Sequence, residues 1–429
     1  MQAVIAVKPS ETIAAITLIC GVPLLERVIL TAVRSGCKRV VLLCPPSLPG
    51  AAARARLRTP RLGGAEIDTV DLAAPFDEAD AEQWHRVSGR LEDRFLWMPW
   101  GYIPHRNALA ELLGRAVAKP RANVRFAFHR SEPVSIFDVP AVLVKSELAD
   151  GCGAPLETLL CEGEPGLLLR GPADVAHAER ELVRRSGKVT DGIYSRFNRW
   201  LCRPAVRWLS RTRITPNAVT FGGLAVALLS GMLFARGTWL SNVAAAILFF
   251  VSGLFDEIDG MLARIKFQES PFGCWLETMV DYTTYVVIFV GMTIGGYHRS
   301  GPEYLLVGAA LLIGSLLSFW VISIQRKLAA PASRPNEYSR RYLAALDRDG
   351  KNLISRAVRQ LQFLTKKGVL VHYLLLFAVF GLLPLFLTLA ALGANIAWMV
   401  TIYLNFRLFS GHSRALTTSQ RAVAAEVKR

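Results

Sequence analysis

Residues 256–281 read DEIDGMLARIKFQESPFGCWLETMVD and set Asp256, Asp259, Glu277 and Asp281 at the ends of two otherwise apolar segments. An ionisable side chain inside a membrane span costs about 2.5 to 3.5 kcal/mol on insertion scales, so four acids there point to a functional site. Asp256 and Asp259 are three residues apart and share a helix face, with about 4.5 Å of axial rise between them. Glu277 and Asp281 repeat the arrangement at a four-residue spacing. The linker between the pairs contains Ser270, Pro271 and Gly273, and a short antiparallel connection brings all four acids to one depth. Converging oxygen ligands without neighbouring His or Cys suit a hard divalent ion, Mg²⁺ or Mn²⁺. Two Mg²⁺ ions are expected, since a pair stabilises both the attacking and the leaving oxygen of a phosphoryl transfer. Gly260 and Ala263 are small enough to let a bulky ligand approach the helix, and Arg264 adds a fixed positive charge suited to phosphate. The competing reading, acids that snorkel at helix ends or pair with basic loops, has to explain four such residues spaced around a Gly, an Ala and an Arg.

Outward from this stretch, the chain of 429 residues changes character near residue 215, from short apolar runs among charged loops to long apolar stretches. Six spans of bilayer length are expected, at roughly 218–235, 239–258, 278–297, 304–325, 369–386 and 389–409. The last two are read as a hairpin, because about 40 apolar residues are twice what one crossing needs. Lys and Arg concentrate on the cytoplasmic side of membrane proteins. The segment between the fourth and fifth spans holds Arg326, Lys327, Arg334, Arg340, Arg341, Arg348, Lys351, Arg356, Arg359, Lys366 and Lys367, against Arg236 and Arg299 in the opposite loops. An integral membrane protein with both termini and the acidic linker facing the cytoplasm is the expectation, without a cleaved signal peptide.

The formal charge of +16 raises nucleic acid as a partner, but the excess flanks the spans and lacks the interleaved aromatics that stack bases. Anionic membrane lipid is the expected partner. Residues 351–365 support it, with Ile354, Val358, Leu361 and Leu364 on one helical face and Lys351, Arg356 and Arg359 elsewhere. Seven cysteines show no CxxC pair and no zinc-like spacing with histidine, so reduced thiols are expected.

In the first half, QAVIAV (2–7) and KRVVLLC (38–44) read as buried strands around PLLERVILTAVRSG, whose apolar positions 24, 25, 28, 29 and 32 fit one helix face. Gly36 caps that helix. Strand, helix, strand predicts a parallel sheet, which the runs at 94–98 and 141–145 extend. Residues 191–217 alternate Trp200, Leu201, Val206, Trp208 and Leu209 with five arginines, as a helix on a membrane surface does, and Pro204 is expected to kink it or start a new one.

The phrase CGVPLLERVILTAVRSGCKRVVLL resembles the start of nucleotidyltransferases that join an alcohol phosphate to a nucleotide. That family has a glycine-rich loop after its first strand and a metal-binding aspartate after a later one. The matching stretches here, VKPSETIAAI and FLWMPWGYIPHRN, have neither, so a degenerate domain with a structural, regulatory or ligand-binding role is expected.

The pattern DxxDGxxAR, eight residues, then GxxxExxxD resembles the signature of the CDP-alcohol phosphotransferases, and the TPN at 215–217 also fits. The order of the two halves resembles fusion proteins that make inositol phosphodiesters. The resemblance implies a six-helix transmembrane enzyme that moves a phosphoalcohol from a CDP-alcohol to an alcohol acceptor and releases CMP. It implies metal binding by Asp256, Asp259, Glu277 and Asp281, with Asp281 also the general base. It places the CDP moiety against Asn217, Thr220, Gly260, Arg264 and Ser270, joined here by Ala263 and Gly273, and it implies a homodimer. Arg326, Lys327 and Arg407 are candidates for an acceptor phosphate. The third acid of the signature is usually Asp and is Glu277 here, which shifts its oxygens by about a bond length.

The expected architecture is therefore an α/β nucleotidyltransferase-like domain over 1–185 and an amphipathic linker helix over 186–216. An all-α six-span domain over 217–412 and a basic tail over 413–429 follow. The alternative function is a catalytically impaired membrane scaffold that binds CDP-lipid. A transporter is weaker, since its acids belong at the bilayer midplane.

Overall fold

The computed structural model of the chain describes residues 1–8, 16–57, 60–119, 123–127, 137, 139–149, 156–160, 166–169, 171–187, 193–329, 344, 355–356, 358 and 367–426. They form two compact units. The first comprises Met1–Ser186, Arg203–Ile214 and Met261–Gln268, and the second Gly187–Cys202, Thr215–Gly260 and Glu269–Arg429.

The first unit contains β1 (Gln2–Ala6), α1 (Leu24–Arg34), β2 (Arg39–Cys44), β3 (Glu66–Asp71), β4 (Arg94–Met98), α2 (Arg106–Ala118), β5 (Asn123–Ala127), β6 (Ala141–Val144), β7 (Leu156–Leu160) and α3 (Pro172–Arg184). The strands form one sheet in the order β7-β5-β6-β4-β1-β2-β3. The predicted core is in place: β1 pairs in parallel with β2 and β4, and Leu24, Leu25, Val28, Ile29 and Ala32 of α1 are buried. Alternation along β1 sends Ala3 and Ile5 into one apolar cluster and Val4 and Ala6 into another, so both sheet faces are covered. Gly36 follows α1 with φ +111°, as expected for its cap.

The α/β class holds, but the sheet is mixed rather than parallel. Strand β6 runs antiparallel to β4 and to β5, a pairing that needs no crossover helix. Strands β3, β5 and β7 were absent from the sequence reading. β3 (EIDTVD) and β7 are the two edges of the sheet, and in β3 the half-buried alternation leaves a weaker apolar signal. The loop at Pro9–Ala15, where the glycine-rich stretch was sought, lies outside the described residues.

The helix α4 (Ile193–Ser210) contributes to both units and continues through Pro204. On it Asn198, Cys202 and Val206 are buried, whereas Ile193, Phe197, Trp200, Leu201 and Trp208 are exposed. An exposed apolar face opposite a buried one is what an interfacial helix presents to lipid.

The remaining helices are α5 (Pro216–Ala235), α6 (Trp239–Ile265), α7 (Pro271–Ser300), α8 (Glu303–Ala329), α9 (Lys367–Val379) and α10 (Leu383–Glu426). Among the described residues five helices are long and apolar enough to cross a membrane: α5, α6, α7, and the parts Glu303–Ile324 of α8 and Leu383–Leu404 of α10. The expected fifth span falls on α9, whose 13 residues reach only about 20 Å at 1.5 Å per residue. The hairpin is present, but its break is at Gly381 rather than at 386–389. Gly381 takes φ +69° and Leu382 N–H donates to Phe377 O at 2.8 Å, which ends α9, while Pro384 is tolerated in the first turn of α10. Helix α10 runs on to Glu426, so the expected tail is a continuation of it. Of the predicted interfacial segment 351–365 only residues 355, 356 and 358 are described, and the predicted helix as a whole lies outside the described residues.

Small residues let α5 and α7 approach closely. A Cβ on Gly291 would sit 2.2 Å from the Gly231 carbonyl oxygen, and one on Gly295 2.1 Å from that of Phe234. Polar side chains tie the helices at depth: Ser230 donates to Ala245 O at 2.7 Å and Ser252 to Gly223 O at 3.0 Å.

Candidate active site

Three helix ends assemble the site. Thr215 caps α5 by accepting from Ala218 N–H at 3.3 Å, and Ser270 caps α7 by accepting from Gly273 N–H at 3.0 Å. Each cap is followed by proline at the first helical position, where a missing N–H costs nothing. These short signals fix where α5 and α7 begin, and so where Asn217, Thr220 and Gly273 stand.

Asp259 is buried on α6, and the Thr220 hydroxyl of α5 donates to its carboxylate at 2.5 Å. Asn217 meets the start of α7. A Cβ on Gly273 would lie 3.1 Å from Ser270 Oγ and 3.5 Å from Asn217 Oδ1, so glycine leaves these polar atoms their room. Asp256 of α6 and Asp281 of α7 both act electrostatically on the hydroxyl of Tyr285, one turn beyond Asp281. The structure thus brings together Thr220 with Asp259, and Asn217 with Ser270 and Gly273.

Glu277 is partly buried on α7, one turn before Asp281, and Gly260 follows Asp259 directly on α6. Ala263 and Arg264 lie on the last turn of α6, in the segment that packs with the first unit, where Arg264 Nε donates to Ser186 O at 2.7 Å. Arg326, Lys327 and Arg407 lie on α8 and α10, and their side chains are outside the described residues.

Among the described residues, no three His, Cys, Asp or Glu side chains are grouped as a ready metal cage. The donor set nonetheless fits a hard cation of one kind. Mg²⁺ keeps its waters, uses one or two carboxylates and takes the rest of its shell from substrate phosphates. The buried Asp259, with Asp256 one turn before it on α6 and Glu277 and Asp281 on α7, supplies carboxylates of that kind.

Sequence reasoning missed three residues here. Tyr285 lies one turn beyond Asp281, and its aromatic neighbours Phe289 and Phe319 have ring centroids 5.9 and 5.8 Å away. Glu257, beside Asp256 in sequence, turns away to pair with Arg199 of α4 at 2.8 Å, both largely buried. The i+4 spacing from Asp281 was a usable signal for Tyr285. Nothing local pairs residue 199 with residue 257.

The fold and the site define a membrane protein with an acid-lined polar site on the ends of three helices. Residues 213–346 match the family model of the CDP-alcohol phosphatidyltransferases. The chain is 31% identical over 150 residues to a bifunctional IPC transferase and DIPP synthase of Thermococcus kodakarensis, covering 34% of this chain and 33% of that one. It is 25% identical over 236 residues to the protein of the same description from Aquifex aeolicus, covering 54% and 49%. An archaetidylinositol phosphate synthase of Pyrococcus horikoshii is 33% identical over 110 residues, covering 25% and 54%. The chain therefore spans between about a third and about half the length of these relatives. Among solved structures, HddC from Yersinia pseudotuberculosis aligns over 42% of this chain and 98% of its own, at 10% identity and a TM-score of 0.34.

Proposed function

We propose that the chain is a membrane phosphotransferase that moves a phosphoalcohol group from a CDP-alcohol to an acceptor hydroxyl. The observation that carries this reading is the hydrogen bond by which Thr220 of α5 holds the buried Asp259 of α6, inside the segment that matches the CDP-alcohol phosphatidyltransferase family. The acceptor oxygen attacks the β-phosphorus, the P–O bond to the CMP phosphate breaks, and CMP leaves with the bridging oxygen. Asp281 takes the acceptor proton, as a carboxylate within reach of the hydroxyl can. Thr220 holds Asp259 by its hydrogen bond, and Asn217, Ser270 and Gly273 form a close-fitting rim for the nucleotide. A divalent ion, Mg²⁺ or Mn²⁺ and in the fuller form of this reading two ions, would be held by Asp256, Asp259, Glu277 and Asp281 and would neutralise the pyrophosphate charge.

The names of the relatives favour a lipid donor such as CDP-diacylglycerol or a related CDP-alcohol, and inositol phosphate or another polyol as acceptor. The first unit, without the nucleotidyltransferase loop glycines and aspartate, is read as degenerate. A six-span arrangement with cytoplasmic termini, contact with anionic lipid through α4, and a homodimer complete the proposal.

Purified protein with Mg²⁺, a panel of CDP-alcohols and polyol acceptors should release CMP, and Asp281→Asn should lower kcat by at least about 10²-fold. Full activity in that variant would sink the mechanism. The second reading, a CDP-lipid-binding scaffold, is favoured by Glu277 and by the lack of a three-acid cage among the described residues. Tight CDP binding without any turnover would select it.

A further inference from the structure

The end of the helix that carries Asp256 and Asp259 is built into the first unit by two buried cations. Lys266, only 5% exposed and one residue past α6, donates to the carbonyls of Leu209, Thr212 and Ile214 at 3.2, 2.8 and 2.9 Å. These oxygens close the C-terminal end of α4, where a helix leaves carbonyls open and favours positive charge. An ammonium has three protons, and all three are used. Arg27 of α1, 2% exposed, donates through Nη2 to Ile19 O at 2.7 Å and to Ile265 O at 3.0 Å. Its guanidinium carbon lies 5.3 Å from the centre of the Phe267 ring.

The backbone around these cations is held in sparsely populated conformations. Phe267 has φ +54° and Cys20 φ +48°, which non-glycine residues keep only where their surroundings over-determine them. Gly21 touches the end of α4 so closely that a Cβ would lie 2.3 Å from Ser210 O. Glu179 of α3 accepts from Cys20 N–H at 3.0 Å and pairs with Arg211. The loop at Ile19–Gly21, α3, the end of α4 and residues 265–267 are thus one hydrogen-bonded knot.

Burying a cation against neutral carbonyls is costly, and the Lys266 ammonium and Arg27 Nη2 spend their protons on main chain. We propose that Lys266 and Arg27 are positioning residues of the transferase. They clamp the C-terminal end of α6, so that Asp256 and Asp259 on the same helix keep their rotation and depth. This inference rests on the transferase reading above. Slipping α6 by one residue turns its face by about 100° and moves it about 1.5 Å. A misplacement of about 1 Å can cost about 10²-fold in rate.

The test uses the full chain in lipid nanodiscs and two readouts, hydrogen exchange of the amides at 262–268 and CMP release kinetics. Lys266→Met should raise exchange there at least about tenfold, reflecting easier local opening, with β1 and β2 unaltered. It should lower kcat about 10- to 100-fold with KM for the CDP-alcohol changed less than about threefold, the pattern of lost alignment rather than lost binding. Lys266→Arg should restore part of kcat. Should Lys266→Met fail to fold, Arg27→Lys, which keeps the charge and drops the fork, gives the same readouts with smaller changes. Unaltered exchange, or faster exchange with unaltered kcat, overturns the proposal. Wild-type protein that releases no CMP overturns the transferase reading and the catalytic part of this one, while exchange alone then decides whether the clamp exists.

Discussion

Gly273 stands against two polar side chains, those of Ser270 and Asn217. The gap of 3.1 Å to Ser270 Oγ means that even alanine displaces its neighbours by a few tenths of an ångström, and a branched side chain displaces them further. Gly273→Val is expected to weaken CDP binding at least about tenfold while sparing the fold, measured by calorimetry with CDP. Unchanged affinity would remove this rim from the nucleotide site. His105, in the first unit, gives a second prediction at this scale. Burial, with Arg185 and Arg184 nearby and Glu181 opposing, pushes its imidazole down to about 4 from 6.5. The folded chain favours the neutral ring, so the unfolded chain binds more protons between these values and stability falls as pH drops from about 6.5 to about 4. Thermal unfolding of the full chain across that window should show a falling midpoint, and His105→Gln should flatten it. Glu181 extends the loss into stronger acid. Although its burial acts against ionisation, hydrogen bonds from Arg184 and Arg185 hold it down to about 2 from 4.5. Its contribution is therefore present above about 4.5 and disappears toward about 2.

Among the elements, the contact of α5 with α7 depends on glycine at the crossing. Gly291→Leu places a Cβ 2.2 Å from the Gly231 carbonyl oxygen and forces the helices apart. Overpacking of this kind costs about 1–3 kcal/mol or more, so a lower unfolding temperature is expected in detergent. Gly393→Leu, at a position with nothing within 4 Å, is the matched control and should leave that temperature unaltered. The cap of α1 at Gly36 was legible, whereas Ser270-Pro271, read as part of a linker before a span at 278, starts α7, and Thr215-Pro216, read only as part of a motif, starts α5. Elements were also misread where a partner sets them. Strand β6 is antiparallel because of what lies on either side of it, and no residue within Ala141–Val144 encodes that direction. Helix α9 is shorter than the apolar run suggested, since hydropathy does not register the left-handed turn at Gly381.

For the whole molecule, the exposed apolar face of α4 predicts a depth in the bilayer. Trp200 and Trp208 should be quenched by lipids brominated near the headgroup more strongly than by lipids brominated at the chain end, as interfacial tryptophans are. Trp200→Phe should remove part of that quenching. Equal quenching at both depths would take α4 off the interface.

The sequence by itself determined the two-part architecture, the membrane helices as a class, and the positions of the four acids, because hydropathy and i, i+3 or i, i+4 spacing are local properties of the chain. Tertiary structure alone decided what each acid meets. It paired Asp259 with Thr220 and turned Glu257 toward Arg199. It also bound Lys266 and Arg27 to the carbonyls of segments far away in sequence. The physical reason is that a buried polar group must find a partner wherever the packing supplies one, and sequence distance places no limit on that search.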